Sequence, residues 1–303
     1  MKKFIYKFLL YIFLVIFVLL GAMLIMGPQY EQEYTGAVLD KIRRLESIKE
    51  PKIILVGNSN LAFGMDSEQI EAAFGMPVVN LGLHGGLGDE FHYNMAKENI
   101  SSGDIVILTN THFNRHPLND IELAWITIES HFNLWPLIAA EDRISMLTAM
   151  PKYIKKQARK AFESSEIIEG AYSRARFNEY GDIDYPRNHN LVDFSSITLG
   201  VPSVTDEGIA LINEMNAFCQ ERSATCLLAA YPIPYGEYSP AEESFLEMSE
   251  LLKTNIDCDL ISDYRDYFFD YKYFYDSQYH LTTEGTDLRT KQLIKDLQNW
   301  MEP

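Results

Sequence analysis

Residues 52–61 read KIILVGNSNL, a short apolar run that stops abruptly at Gly57-Asn58-Ser59. A run of this length ending in a glycine turn predicts a buried strand, and a Gly-x-Ser at its end sets a serine hydroxyl on the turn that follows. Further runs share the character: PVVNLGL at 77–83, DIVILTN at 104–110, TCLLAAYP at 225–232 and CDLISD at 258–263. Strands buried on both faces read as continuous apolar stretches, and helical segments separate these. The pattern predicts an α/β protein. Its expected form is a three-layer α/β/α sandwich with a five-stranded parallel sheet, flavodoxin-like, in strand order 2-1-3-4-5.

The intervening segments carry start and stop signals. Asp66 with Gln69 predicts a capped helix start before IEAAF, and Gly75 its end. Ser239-Pro240-Ala241-Glu242 predicts another capped start with proline in the first helical position. Leu211, Met215, Phe218 and Arg222 recur at helical spacing within 206–222, as do Leu288, Leu293, Leu297 and Trp300 within 284–300. The interval 115–204 is too long for one crossover helix and predicts an insertion with its own small structure. Within it, PKYIKKQARKAFESS at 151–165 is locally basic in an acidic chain. That stretch suits a solvated helix face, or a surface near lipid head groups or an anionic glycan. Residues 180–190 are turn-rich and predict a loop.

The N-terminus is a different material. After Lys2, Lys3 and Lys7, residues 8–26 carry no charge, and at helical rise this run spans roughly 28 Å, the thickness of a bilayer core. Gly21-Ala22 is followed by Met-Leu-Ile-Met rather than a small-x-small cleavage site, which favours an uncleaved anchor over a signal peptide. With lysines before the span and Glu31 and Glu33 after it, the positive-inside bias predicts residues 1–7 in the cytoplasm and 8–26 across the cytoplasmic membrane. Residues 27–50 then form a stalk, and 51–303 an extracytoplasmic domain.

Lys and Arg total 26 against 43 Asp and Glu, a formal charge of −17. This opposes the phosphate neutralisation that nucleic-acid binding requires and excludes DNA and RNA as principal partners. The three cysteines, Cys219, Cys226 and Cys258, lack metal-type spacing and read as core residues, with at most one internal disulfide.

In an open parallel sheet, ligands bind beyond the carboxyl ends of the strands. Ser59, the loop around His84 and Gly85, and the stretch Asn110-Thr111-His112 all follow predicted strands. Asp276 and His280, in FYDSQYHL, stand just before the last helix. Ser59 early and His280 late is the order of a serine esterase or acyltransferase.

A Gly-x-Ser after the first strand, an Asn-x-Gly-x-x-Gly after the second, and an Asp/His pair before the last helix make the chain resemble the SGNH (GDSL-type) hydrolase superfamily. The resemblance covers nearly everything beyond the stalk. The anchor, the long insertion and the ending YDSQYHLTTEG look most like its membrane-anchored extracytoplasmic members that assist surface-polymer acylation, such as the teichoic-acid D-alanylation and alginate O-acetylation proteins. The resemblance implies Ser59 as nucleophile, His280 as general base and the N–H groups of Ser59 and Gly85 as oxyanion donors, with Asn110, or else Asn114, as a side-chain donor. It implies a cell-surface glycan substrate, an acyl donor and a multi-spanning membrane O-acyltransferase as partners. Asn58, His84 and His112 are candidate substrate contacts.

Three features depart from the family pattern. GNSN stands where GDSL is usual, and TNTHFN replaces the familiar Gly-x-Asn-Asp. Asp276 lies four residues before His280 rather than three, leaving a triad and a Ser-His dyad both open. These departures support a second reading, a catalytically silent SGNH-like module that binds glycan or scaffolds an acylation complex. No cofactor is expected: Gly85, Gly86 and Gly88 lack the dinucleotide spacing. His112 and His116 are four apart, but Pro117 follows and no Glu completes a metalloprotease motif, so no metal is expected. The aromatic stretch 264–279 suits either a sugar-binding groove or core packing.

Overall fold

Every residue of the strand β1, Ile53–Gly57, is buried, and its neighbours alternate between two separate cores. The computed structural model describes residues 1–115, 118–162 and 170–302. In chain order it comprises α1 (Lys2–Met26), α2 (Val38–Ser47), β1, the single turn α3 (Ser59–Ala62), α4 (Ser67–Phe74), β2 (Val78–Asn80) and α5 (Asp89–Lys97). There follow β3 (Ile105–Thr109), α6 (Ile121–Ile128), α7 (Arg143–Phe162), α8 (Asp206–Glu221), β4 (Thr225–Leu228), β5 (Ile233–Tyr235) and α9 (Glu242–Asn255). β6 (Asp259–Leu260), β7 (Phe268–Asp270) and α10 (Thr283–Met301) complete the chain.

Five strands form a parallel sheet in the order β2-β1-β3-β4-β6. Ile54 pairs with Val106 and Gly57 with Thr109, so β1 and β3 end side by side. Gly57 is required there, since a Cβ would come within 2.7 Å of the Thr109 hydroxyl and 2.9 Å of its carbonyl oxygen. Ile54, Val56, Val106, Leu108 and Leu228 face the larger core with Phe91 and Met95 of α5 and Leu211 and Met215 of α8. Ile53, Leu55, Ile105, Ile107 and Leu227 face the other, with Ile70 of α4 and Leu293 and Leu297 of α10. Burial of each such side chain contributes roughly 1.5–3 kcal/mol. Both faces of the sheet are therefore covered, and its carboxyl edge is left for the loops. A separate parallel pair, β5 with β7, was not legible in the apolar runs.

Asp66 accepts from the Gln69 N–H at 3.1 Å and Gly75 ends α4 at φ 64°. The Ser239 start is displaced: α9 begins at Glu242 with Ala241 as its cap, while the Ser239 hydroxyl donates to the Pro234 carbonyl within β5 and accepts the Gly236 N–H of the turn that follows that strand. The hydroxyl bonds locally to the preceding turn instead of to a helix N–H. The insertion contributes α6 and α7. His116 lies outside the described residues, as does the tail of the basic stretch beyond Phe162.

Residues 27–50 are not a free stalk. Tyr34, Ala37, Val38 and Leu45 are buried, and Lys41 of α2, itself buried, donates to the carbonyls of Asn80 at 2.8 Å and Gly181 at 2.6 Å. An apolar stripe along α2 and one desolvated ammonium thus join this segment to the edge of β2. The aromatic stretch is largely core, with Tyr264, Tyr267 and Phe274 fully buried and Tyr271, Tyr273 and Tyr275 half-buried. All three cysteines are free thiols, Cys219 and Cys226 buried and Cys258 half-buried.

Candidate active site

The chain leaves β1 through Asn58, whose extended backbone and side-chain oxygen start the single turn α3 by accepting the Asn60 N–H at 3.0 Å. The Asn58 oxygen also accepts from the Asn60 amide at 2.8 Å, and its own amide donates to the Thr111 hydroxyl at 2.7 Å. Asn60 is pinned from the far end of the chain: Arg289 of α10, wholly buried, donates to its carbonyl at 2.6 Å and its side-chain oxygen at 2.7 Å. Burial holds that guanidinium down to about 9, still charged at neutral pH. Ser59 stands between these two immobilised asparagines and remains half-exposed.

His280 reaches Ser59 from the loop before α10. Its Nε2 lies 2.8 Å from the Ser59 Oγ and its Nδ1 2.8 Å from Asp276 Oδ1. With a carboxylate at Nδ1, that nitrogen carries the proton and Nε2 is left to accept from the serine hydroxyl. The four-residue spacing is absorbed by the loop itself. The Tyr275 N–H donates to the His280 carbonyl at 2.8 Å, and the Ser277 hydroxyl accepts the N–H groups of Tyr279 and His280, both at 3.2 Å. The loop thus folds back on itself, with Asp276 against the imidazole. Phe63, one turn after Ser59, stacks on that ring at 4.1 Å and 12°, fixing its plane.

Tyr172 was not singled out by sequence reasoning. Its phenol donates to Asp276 Oδ2 at 2.6 Å and lies 3.1 Å from His280 Nδ1. Burial pushes the Asp276 carboxyl up, but the bonds from His280 and Tyr172 outweigh it and leave Asp276 below its ordinary value. The Tyr172 phenol is raised by burial and by the adjoining carboxylate, which keeps it a donor. Tyr172 itself is held by the segment after α1, where Glu33 bridges Ser173 and Arg174 bonds Glu31 at 2.9 Å and Asp40 at 2.7 Å. Nothing local marks Tyr172, because its partner is 104 positions away.

The remaining candidates fall around the same edge. Asn58 bridges Leu83 in parallel, and a Cβ at Gly85 would lie 3.6 Å from the Asn58 side chain, so Gly85 adjoins the residue before Ser59. His84 is exposed at the surface of the loop and accepts the Gly86 N–H at 2.9 Å; partial desolvation by the neighbouring chain, and then the nearby His280, lower its imidazole from the ordinary value. Asn110 is buried, its oxygen accepting from the Tyr93 phenol at 2.8 Å, so its amide NH₂ is the group left to donate. Asn114 has a buried side-chain oxygen without a hydrogen bond among the described residues. His112 is tied through Nδ1 to the Thr111 hydroxyl at 3.0 Å. A cavity of about 230 Å³ opens beside these two residues, lined also by Tyr231, Phe245, Gln278 and Tyr279.

Among the described residues no cluster of His, Cys, Asp and Glu side chains is suited to a metal. Comparison of the chain with protein-family models, with curated proteins and with solved structures finds no match.

Proposed function

We propose that this chain is a membrane-anchored serine acyltransferase or esterase acting on O-acyl groups of a cell-surface polysaccharide. The observation that carries the reading is the continuous relay from Asp276 through His280 to Ser59, at 2.8 Å in both links. A hydroxyl paired with an oriented imidazole is the arrangement by which an unreactive serine becomes a nucleophile.

In this mechanism the Ser59 Oγ attacks the acyl carbonyl while its proton passes to His280 Nε2. The oxyanion is received by the N–H groups of Ser59 and Gly85 and by the Asn110 amide. The tetrahedral adduct collapses as the imidazolium returns its proton to the leaving oxygen, leaving an acyl-serine. A glycan hydroxyl then gives its proton to His280 and bonds to the acyl carbon, and as the bond from that carbon to the Ser59 Oγ breaks, the imidazolium returns the proton to Oγ. Water in the glycan's place makes the protein an esterase. Asn58, His84 and His112 flank the route a substrate would take.

The same reading includes the resemblance to the SGNH superfamily with a flavodoxin-like layering. It also includes a retained α1, with the domain outside the cytoplasmic membrane, and a multi-spanning O-acyltransferase as donor-side partner. α1 is long and apolar enough to cross a bilayer.

The test is mass spectrometry of the purified full-length chain after exposure to a serine-directed fluorophosphonate. An adduct on Ser59 that is lost in His280→Ala supports the reading. A folded protein that takes no adduct favours the silent glycan-binding or scaffold module, for which Ser59→Ala would leave the cellular role intact.

A further inference from the structure

α7 carries six basic and no acidic residues in a chain of net charge −17. Its buried face, Met146, Met150, Tyr153 and Gln157, packs on the domain at helical spacing. The opposite face presents Lys152, Lys155 and Arg159 to solvent together with Ile144 (74% exposed), Leu147 (47%) and Phe162 (92%). Large apolar side chains interleaved with cations along one open face are unsuited to water alone and suited to a bilayer interface.

The position of α7 says which surface covers it. α7 packs against α1, and one side of the last two turns of α1 lies on the domain, with Met23 buried and Leu19 and Leu20 packed against its core. Gln157, at the middle of the charged half of α7, donates to the Gly27 carbonyl at 2.7 Å, directly after the last residue of α1. Tyr30 continues the clamp: its ring lies 5.6 Å from the Lys156 ammonium and 5.8 Å from that of Lys160. Lys152 pairs with Glu122 at 3.1 Å and Lys160 with Glu33 at 3.6 Å, whereas Lys155 and Arg159 make no ion pair among the described residues. A helix fastened where a membrane span emerges lies at the level of the lipid head groups.

We propose that the exposed face of α7 rests on the bilayer from which α1 emerges. Lys155 and Arg159 meet anionic head groups, and Ile144, Leu147 and Phe162 enter the interfacial layer. This rests on the reading of α1 as a retained anchor. Positive side chains offset the repulsion between an acidic domain and an anionic membrane, and a second contact beside the anchor sets the orientation of the domain.

The test uses the full-length chain, without other proteins, in nanodiscs containing about one third phosphatidylglycerol. A polarity-sensitive fluorophore is placed at Leu147→Cys, at Phe162→Cys, or at Leu251→Cys on α9, which packs on β6 and the turn Tyr264–Tyr267. Each is made in a Cys258→Ser background. Spin-labelled lipid is expected to quench the two α7 probes at least two-fold more than the α9 probe. Lys155→Glu with Arg159→Glu should reduce that excess. Equal quenching at all three sites, with residues 1–26 retained by intact mass, overturns the proposal alone. Loss of residues 1–26 from the mature chain overturns both the proposal and the anchor on which it rests.

Discussion

The Tyr172 phenol and the Asp276 carboxylate, 104 positions apart, share a hydrogen bond of 2.6 Å. Asp276 Oδ1 holds His280 and Oδ2 holds Tyr172, so both oxygens of the acid are committed. Tyr172 thereby holds the carboxylate that holds the His280 imidazole. Because Arg174 ties the same segment to Glu31 and Asp40, the chain just outside α1 bears on the geometry at Ser59.

Tyr172→Phe should therefore lower the rate of Ser59 modification by fluorophosphonate about ten-fold. This is the worth of one hydrogen bond to a charged group, of order 1.5 kcal/mol. Tyr172 is 42% exposed, so the melting temperature should change little. An unchanged labelling rate would remove it from the site.

Asp276→Asn separates triad from dyad. If the carboxylate holds the tautomer of His280, labelling should fall by on the order of 10²–10⁴. A fall of less than about five-fold would mean that Ser59 and His280 work as a pair.

Gly85→Ala distinguishes a glycine needed by the fold from one needed by substrate. A Cβ there would meet only ordinary contacts, the nearest at 3.6 Å. Thermal unfolding should be unchanged, while turnover of an acyl ester falls at least ten-fold because the methyl crowds the oxyanion position. Unchanged turnover would exclude the Gly85 N–H from that position.

Arg289→Met should be costly to both stability and reactivity. It takes away the Arg289 donor from the Asn60 carbonyl and leaves the Asn60 side-chain oxygen, inside the core, with only the longer bond from the Thr109 hydroxyl at 3.4 Å, a loss on the order of 2–4 kcal/mol. Chemical denaturation measures the first. Slower labelling of Ser59 in the folded fraction would show the second, since Asn60 is its immediate neighbour.

Asp89 supplies a pH dependence. It is buried at the start of α5, and burial raises its carboxyl to about 7. The folded state then keeps a proton that the unfolded state releases near pH 4. Stability falls as pH rises from about 4 to about 7 and is level above that. Asp89→Asn should raise the melting temperature at pH 8, by up to a few kcal/mol in stability, and leave it nearly unchanged at pH 4.5. Equal gains at both pH values would show that Asp89 does not carry a raised pKa.

The amino-acid sequence by itself determined the five parallel strands and the apolar N-terminal helix. Both depend on short-range periodicity: a strand covered on two faces must be apolar throughout, as Ile53–Gly57 is, and a span of lipid must lack charge. It also singled out Ser59, Asp276 and His280, because each follows or precedes a recognisable strand or helix. Only the tertiary structure decided how these meet. Asp276 lies one residue further from His280 than the family pattern has it, and only the loop closure through Tyr275 and Ser277 shows that its carboxylate still comes within 2.8 Å of Nδ1. Ser239 looked like a helix cap, and a nearer turn took its hydroxyl. Residues 27–50 looked like a polar stalk because the pattern shows that α2 is amphipathic without showing what its apolar stripe meets. Tyr172, Phe63 and Arg289 carry no local mark. Their roles arise from contacts across the fold, set by how whole elements pack rather than by any property of neighbouring residues.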